Sequence, residues 1–302
     1  MNKIVISSSP VQVVGRKAVR GLNRLWIGII VALFGLITYC TSTVQNPITG
    51  ENQRIQLSPR QEIALGLQAR QQMAAKHGGL YPNSLLQQYV KQVGEKVVRE
   101  SDASKSPYPF EFYLLRDPKT INAFALPGGQ VFITAALLSR LSSEAQLAGV
   151  LGHEVGHVVA RHGAEHLAKQ QLGATLVTAV GVAASDSEQR ARQAQVLAQA
   201  VNQLVSLRYG RDDELESDRL GFRFMTQAGY NPQGIVQLMQ ILGSTRQGGQ
   251  PPEFLSTHPN PENRVERLKE LISQQYPNGI PPQLESGKEN FAKYVKPRLT
   301  GG

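Results

Sequence analysis

Two histidines four residues apart, with a glutamate directly after the first, are the residues of this sequence best suited to chemistry: His153-Glu154-Val155-Gly156-His157. On an α-helix the four-residue step puts both imidazoles on one face, where they can grip a single metal ion. Glu154 is then placed to act as general base on a water held by that ion. The flanks favour this over a pair of surface histidines on an ordinary helix. Val150, Leu151, Val155, Val158 and Val159 surround the motif, and imidazoles in apolar company need a partner, which a metal supplies.

A catalytic zinc site takes three protein ligands and keeps a fourth position for water. The candidates for the third are His162, His166, His258 and the acids. His162 lies nine residues beyond His153, about half a turn off the metal face, so helical spacing does not bring it to the ion. His162 and His166 are themselves four apart, which fits either a solvated helix end or a second metal pair. The segment Arg211-Asp212-Asp213-Glu214-Leu215-Glu216-Ser217-Asp218 is a stronger candidate, with Leu220, Phe222, Phe224 and Met225 continuing its helical pattern. Glu214 and Asp218 share one face, so one carboxylate can ligate while the other accepts the free ring N–H of a ligand histidine. The same acids also suit an exposed helix start, where the helix dipole favours them.

The elements that position these residues are signalled locally. Ser58-Pro59-Arg60-Gln61 is a helix start with a capping serine, proline in the first turn and a reciprocating glutamine. Leu85, Leu86, Tyr89, Val90, Val93, Val97 and Val98 give residues 84–99 an apolar helical side. Residues 110–115 and 130–134 read as strands, with Asp117-Pro118 turning the chain and Pro127-Gly128-Gly129 before the second. Ser143 caps a helix that runs through the metal motif to about Arg161. Residues 168–184 are small and apolar, and are expected to form a helix over the cleft. Residues 41–57 read as a linker, 58–275 as the folded domain and 276–302 as a loosely packed tail.

Composition sets the frame. A chain of 302 residues that is 41% hydrophobic supports one domain of about 200 to 250 residues with extensions. Its net charge is +9, but Lys3, Arg16, Lys17, Arg20 and Arg24 all precede the first acid, Glu51. No basic patch interleaved with aromatics follows, which excludes nucleic acid as a partner. The basic start leads into the apolar run 25–39, so residues 1–40 read as a signal peptide or membrane anchor. Cys40, the only cysteine, follows Ile37-Thr38-Tyr39, a partial lipoprotein box with tyrosine where a small residue is usual. Lipidation of Cys40, a cleaved signal and an uncleaved anchor all fit, as does a buried N-terminal helix of the domain. The expected location is exported: periplasmic, or on the extracytoplasmic face of a membrane. A lone cysteine excludes an intrachain disulfide framework.

With these residues in hand, the sequence resembles the zinc metallopeptidase family of the CAAX prenyl protease, which includes bacterial membrane-stress and periplasmic barrel-assembly proteases. The resemblance covers roughly residues 55–275 in five ordered blocks. They are the metal motif extended by Ala160-Arg161-His162, Tyr209-Gly210-Arg211-x-x-Glu214-x-x-x-Asp218, Asn122–Thr134, Ala228–Pro232 and Ser256-Thr257-His258-Pro259. Gly210 replaces the family's usual serine and Ser217 its usual alanine, and neither position has a metal role. The resemblance implies an α+β, mainly helical gluzincin fold with a small antiparallel sheet beside the metal helix. It implies one zinc ion per chain, bound by His153, His157 and Glu214, with Glu154 catalytic and Asp218 supporting a ligand from behind. The expected activity is endoproteolysis of extended or misfolded envelope and membrane-associated polypeptides. The alternative is a catalytically latent, zinc-stabilised chaperone-like binding module. The Asn122 block would offer an exposed strand edge to an extended peptide, with Asn122 holding a substrate carbonyl. His258 has three readings: it stabilises the oxyanion, it occupies the open metal position as a latch, or it merely packs beside Pro259.

Overall fold

A helix buried on every side is the axis of this molecule, and the other elements are laid around it. The computed structural model describes residues 14–172, 208–245, 251–259 and 263–299, with residues 14–25 as backbone alone. In chain order the described elements begin with α1 (Val14–Thr41), a hairpin of β1 (Thr43–Gln45) and β2 (Asn52–Arg54), α2 (Pro59–Lys76) and α3 (Ser84–Arg99). Then come β3 (Glu111–Leu115), β4 (Ala123–Leu126), β5 (Gln130–Thr134), α4 (Ala135–Leu138), α5 (Glu144–Val159) and α6 (162–172). After these follow α7 (Arg211–Gln227), α8 (Gln233–Ser244), α9 (Glu253–Thr257), α10 (Arg264–Gln275), α11 (Lys288–Tyr294) and α12 (Lys296–Leu299). The architecture is α+β and mainly helical, as expected.

Local signals explain where the helices begin. The Ser58 hydroxyl accepts from the Gln61 N–H while the Gln61 side chain returns the bond, closing the capping box of α2. Asn83 caps α3 by accepting from the Leu86 N–H, and Ser143 caps α5 by accepting from the Gln146 N–H. Every residue of α5 from Ala145 to Val159 is buried, the mark of a helix enclosed by its neighbours. α7 and α8 flank it, α3 packs across it, and the sheet lies along it.

The three-stranded sheet has the order β3-β5-β4. It is mixed, which corrects the expected antiparallel arrangement: β4 pairs antiparallel with β5, but β3 runs parallel to β5, Glu111 opposite Gln130 and Leu115 opposite Thr134. All five residues of β5 are buried, so this apolar strand takes the centre and separates β3 from β4. Gly128 in the β4–β5 turn has φ 86°, and a Cβ there would lie 2.4 Å from Ile63 Cα. Both the backbone and the close approach of α2 require glycine.

The packed unit extends beyond the expected bounds at 57 and 275. The stretch read as a linker contains the β1–β2 hairpin, docked on the end of α5. Asn46 Nδ2 donates to the Val159 carbonyl at 2.8 Å and Gln53 Nε2 donates to the Ala160 carbonyl. These bonds satisfy carbonyls left free in the last helical turn. At the other end, Phe291 and Val295 lie in the core. Phe291 sits edge-on to Tyr89 at 6.3 Å, and the Tyr81 hydroxyl donates to the Arg298 carbonyl. Two apolar residues among polar neighbours were too sparse a signal to mark that segment as packed.

α1 turns an apolar surface outward. Trp26 is 57% and Phe34 69% exposed, with Ile30 and Ile37 beside them and Cys40 exposed at the helix end. Among the described residues no helix is long and apolar enough to cross a membrane. The helix expected over 168–184 lies outside the described residues beyond 172.

Candidate metal centre

His153 and His157 leave α5 on one face, as their spacing dictates, with their Nε2 atoms 3.1 Å apart. α7 brings Glu214 against both: Oε2 lies 3.3 Å from His153 Nε2 and Oε1 lies 3.3 Å from His157 Nε2. His258, just past α9, completes the group with Nδ1 2.9 Å from Glu214 Oε1 and 3.4 Å from His153 Nε2. One donor atom from each of the four residues lies within 4.8 Å of the others, and all four residues are buried. Ligands held about 2.0–2.1 Å from a tetrahedral zinc ion stand roughly 3.3 Å from one another. The five contacts above, at 2.9–3.4 Å, bracket that value, with Glu214 facing His153 and His157 through different oxygens.

Charge gives an independent test of fit. Glu154, Glu214 and Asp218 are buried carboxylates, and Arg264 is the buried cation among them. If all are ionised and the histidines are neutral, as metal ligation requires, two negative charges remain in the interior, where uncompensated charge is costly. A divalent cation removes that excess. Neither oxygen of Glu154 has a hydrogen-bond partner. Burial pushes its carboxyl above the ordinary range, although His258 and His153 pull the other way. Burial would also raise Glu214, but the imidazoles of His258, His153 and His157 outweigh it and hold the carboxyl well below its usual range.

Asp218 faces the back of His153, with Oδ1 3.0 Å from Nδ1. Burial alone would lower the His153 pKa, but Asp218 and Glu214 together raise it to about 9. Asp218 is itself clamped by Arg264, whose Nε and Nη2 each donate to it at 2.6 Å. The fork geometry suits a guanidinium and fixes the carboxylate. Arg264 Nη1 lies 3.0 Å from Glu214 Oε2, so one arginine faces both Glu214 and Asp218.

The two helices meet through glycine. A Cβ at Gly221 of α7 would stand 2.8 Å from the backbone nitrogen of His153, and one at Gly156 would stand 3.1 Å from the Ser217 carbonyl. Gly221→Ala therefore forces α7 away from α5, with an expected stability loss of about 1–3 kcal/mol. Because Glu214 and Asp218 ride on α7, the same variant should also bind metal more weakly. Thermal unfolding and chelator competition read the two effects. Wild-type stability and affinity would show that the helices do not need this approach.

Comparison with known proteins adds to this geometry. The model of Peptidase family M48 matches residues 84–272. The chain belongs to that family. Among its M48 relatives is the Beta-barrel assembly-enhancing protease of Yersinia pestis, 34% identical over 255 residues, or 82% of this chain and 50% of that protein. The protein of the same name from Escherichia coli strain K12 is 32% identical over 237 residues, 76% of this chain and 48% of the relative. Mitochondrial metalloendopeptidase OMA1 of Schizosaccharomyces pombe is 29% identical over 255 residues, covering 82% of this chain and 72% of the relative. The chain spans about half the length of the bacterial relatives. The residues matched include every member of the four-residue cluster.

Other expectations for this M48 site fare unevenly. Asn122 is buried at the start of β4, where Nδ2 donates to Glu253 Oε1 at 3.2 Å and Oδ1 has no partner. β4 is an edge strand among the described residues, yet Ala123, Phe124 and Leu126 are buried. The expected exposed edge is thus covered: the cavity between β4, Tyr209 and His258 is only about 30 Å³, room for about one water. Neither His162 nor His166 joins the four-residue cluster: Nε2 of each faces α7, that of His162 at Glu216 and that of His166 at Asp213.

Tyr209, Phe254 and Arg264 were given no role from the sequence. Tyr209 stacks on the His157 ring at 3.8 Å between centroids, and Phe254 stacks on His258 at 4.4 Å. Arg264 is the third, and it did leave a signal. It opens α10, where the positive end of the helix dipole disfavours a cation, so its place needed another explanation.

Proposed function

We propose that this chain is a zinc-dependent endopeptidase held latent by His258, acting on extended or misfolded polypeptides outside the cytoplasm. One observation carries the reading: His153, His157, Glu214 and His258 bring one donor atom each within 4.8 Å of one another, beside a buried, unpartnered Glu154. His153, His157 and Glu214 hold the ion, and His258 occupies the position a substrate or water needs. When bound, zinc supplies Lewis acidity toward water and the scissile carbonyl. Glu154 takes a proton from the attacking water on a carboxylate oxygen and delivers it to the leaving amine. Its lack of other hydrogen bonds leaves both oxygens free for that transfer. Asp218 holds the His153 ring with Nδ1 protonated and Nε2 turned inward. Displacing His258 along with α9 opens β4 to a peptide that pairs with it as an added strand, with Asn122 freed from Glu253 to bind a substrate carbonyl.

The names of the bacterial relatives support envelope protein quality control as the setting. The outward apolar face of α1 supports membrane attachment through the N-terminal segment, with Cys40 as a lipidation point, since exposed apolar patches of this kind mark association surfaces.

The test uses purified protein with casein as an unfolded substrate, assayed with and without 1,10-phenanthroline. Cleavage that stops with chelator and returns on adding zinc is the expected result. Cleavage indifferent to chelator, or none even from His258→Ala, would overturn the proposal.

A further inference from the structure

We infer that His162 is a positioning residue for the metal ligand His157, linking it to Glu216 in a buried relay on which the proposed metal site depends. The two ligand histidines are supported differently. Behind His153 stands a carboxylate, Asp218. Among the described residues no carboxylate faces Nδ1 of His157; that atom lies 2.9 Å from Nδ1 of His162. On its far side His162 Nε2 lies 3.1 Å from Glu216 Oε2. His162 is 2% exposed and Glu216 7%, so the contacts are direct and largely shielded, at the wall of a cleft of about 570 Å³ that both residues line.

The backbone is bent to make them. Arg161 has φ 57°, a left-handed conformation uncommon for a residue with a side chain. That residue separates α5 from α6 and swings His162 back beneath the last turn of α5. Helical continuation would have left His162 about half a turn off the metal face. The Arg161 side chain is itself tied down, donating to Glu62 and to the Leu57 carbonyl.

Proton placement follows from these distances. Nε2 of His157 points into the ligand cluster and must be bare to bind an ion, so its proton sits on Nδ1. That N–H donates to Nδ1 of His162, whose remaining proton is then on Nε2 and is donated to Glu216. Ser217 Oγ also approaches His162 Nδ1, at 3.4 Å, and Asp213 Oδ1 lies 3.9 Å from Nε2. The two carboxylate oxygens near Nε2, of Glu216 and Asp213, can only accept when ionised, which favours the same tautomer. Orienting partners of this kind typically change metal affinity by about 10–100-fold. With Tyr209 stacked on the ring, His157 is fixed in both plane and tautomer.

The test compares His162→Phe, which keeps a ring without an acceptor, with His162→Asn, whose amide oxygen can stand where Nδ1 stood. Zinc affinity is measured on the full chain by chelator competition, alongside the absorption spectrum of the cobalt-substituted protein. Affinity should fall about 10–100-fold in His162→Phe and within a few-fold of wild type in His162→Asn, with the cobalt bands shifted only in the former. Equal loss in both variants, or none in either, would overturn the relay. So would two zinc ions per wild-type chain with one lost in His162→Phe, because His162 would then be a ligand. Should His162→Phe fail to fold, ¹⁵N spectra of the wild-type imidazoles decide: His157 protonated on Nδ1 and His162 on Nε2 are required, and the reverse refutes the inference. Those readouts do not depend on proteolysis, so they stand apart from the fate of the proposed activity.

Discussion

Glu154→Gln is expected to keep its zinc and lose its proteolysis. Glutamine preserves the shape of the side chain but cannot take a proton from water, and a positioned general base is worth about 10²–10⁴-fold in rate. Metal content should stay at one ion per chain, because Glu154 is outside the cluster of His153, His157, Glu214 and His258. The direction of the stability change is also set. Burial makes the charged form of the Glu154 carboxyl costly and neither oxygen has a hydrogen-bond partner, so a neutral amide removes that cost and breaks no hydrogen bond. Melting of the metal-free variant should therefore match or exceed wild type. Glu214→Gln makes the contrast, since it removes a ligand and should lose metal and activity together. Casein cleavage by Glu154→Gln at the wild-type rate would exclude Glu154 as the base. Loss of zinc from that variant would move Glu154 into the ligand set.

What could be read without the structure depended on how local the physics was. The α5 motif was legible because two imidazoles four residues apart must share a helix face. The starts of α2 and α5 were legible because a capping hydroxyl and the backbone N–H it accepts from lie within three residues. Glu214 and Asp218 were visible as a pair, although the same spacing fits an ordinary acidic helix start. Their meeting with α5 depends on Gly152, Gly156 and Gly221 letting two backbones approach, a tertiary property that neither segment states alone. His162 escaped for the opposite reason. Helical spacing excluded it, and one left-handed residue, Arg161, made that spacing inapplicable. Asn46 and Gln53 looked like solvated linker residues because their partners are the final carbonyls of a helix far along the chain. The parallel register of β3 against β5 likewise depends on which strand is buried on both faces.

The largest gain in activity is expected from His258→Ala. Nδ1 of His258 lies 2.9 Å from Glu214 Oε1, and Nε2 lies 3.6 Å from Glu154 Oε1. It therefore sits between the ligands and the base, where a peptide carbonyl and its attacking water would have to be. The surrounding α9 is held shut by several bonds: Phe254 N–H to the Ile121 carbonyl, Tyr209 N–H to the Thr257 carbonyl, and Asn122 to Glu253. A site closed in about 99 of 100 molecules has its apparent affinity for substrate reduced about 100-fold. Removing the imidazole lifts that penalty, so KM should fall while kcat changes little. Zinc should bind more weakly for want of the fourth ligand, which makes saturating zinc a condition of the assay. A transition-state role predicts the opposite, a collapse of kcat with zinc still bound, and a purely packing role predicts neither change. Glu253→Ala separates latch from chemistry again: it loosens α9 through Asn122 without touching the cluster, and should raise activity part of the way. If both variants fall below wild type at saturating zinc, His258 works for the reaction and the latch is wrong.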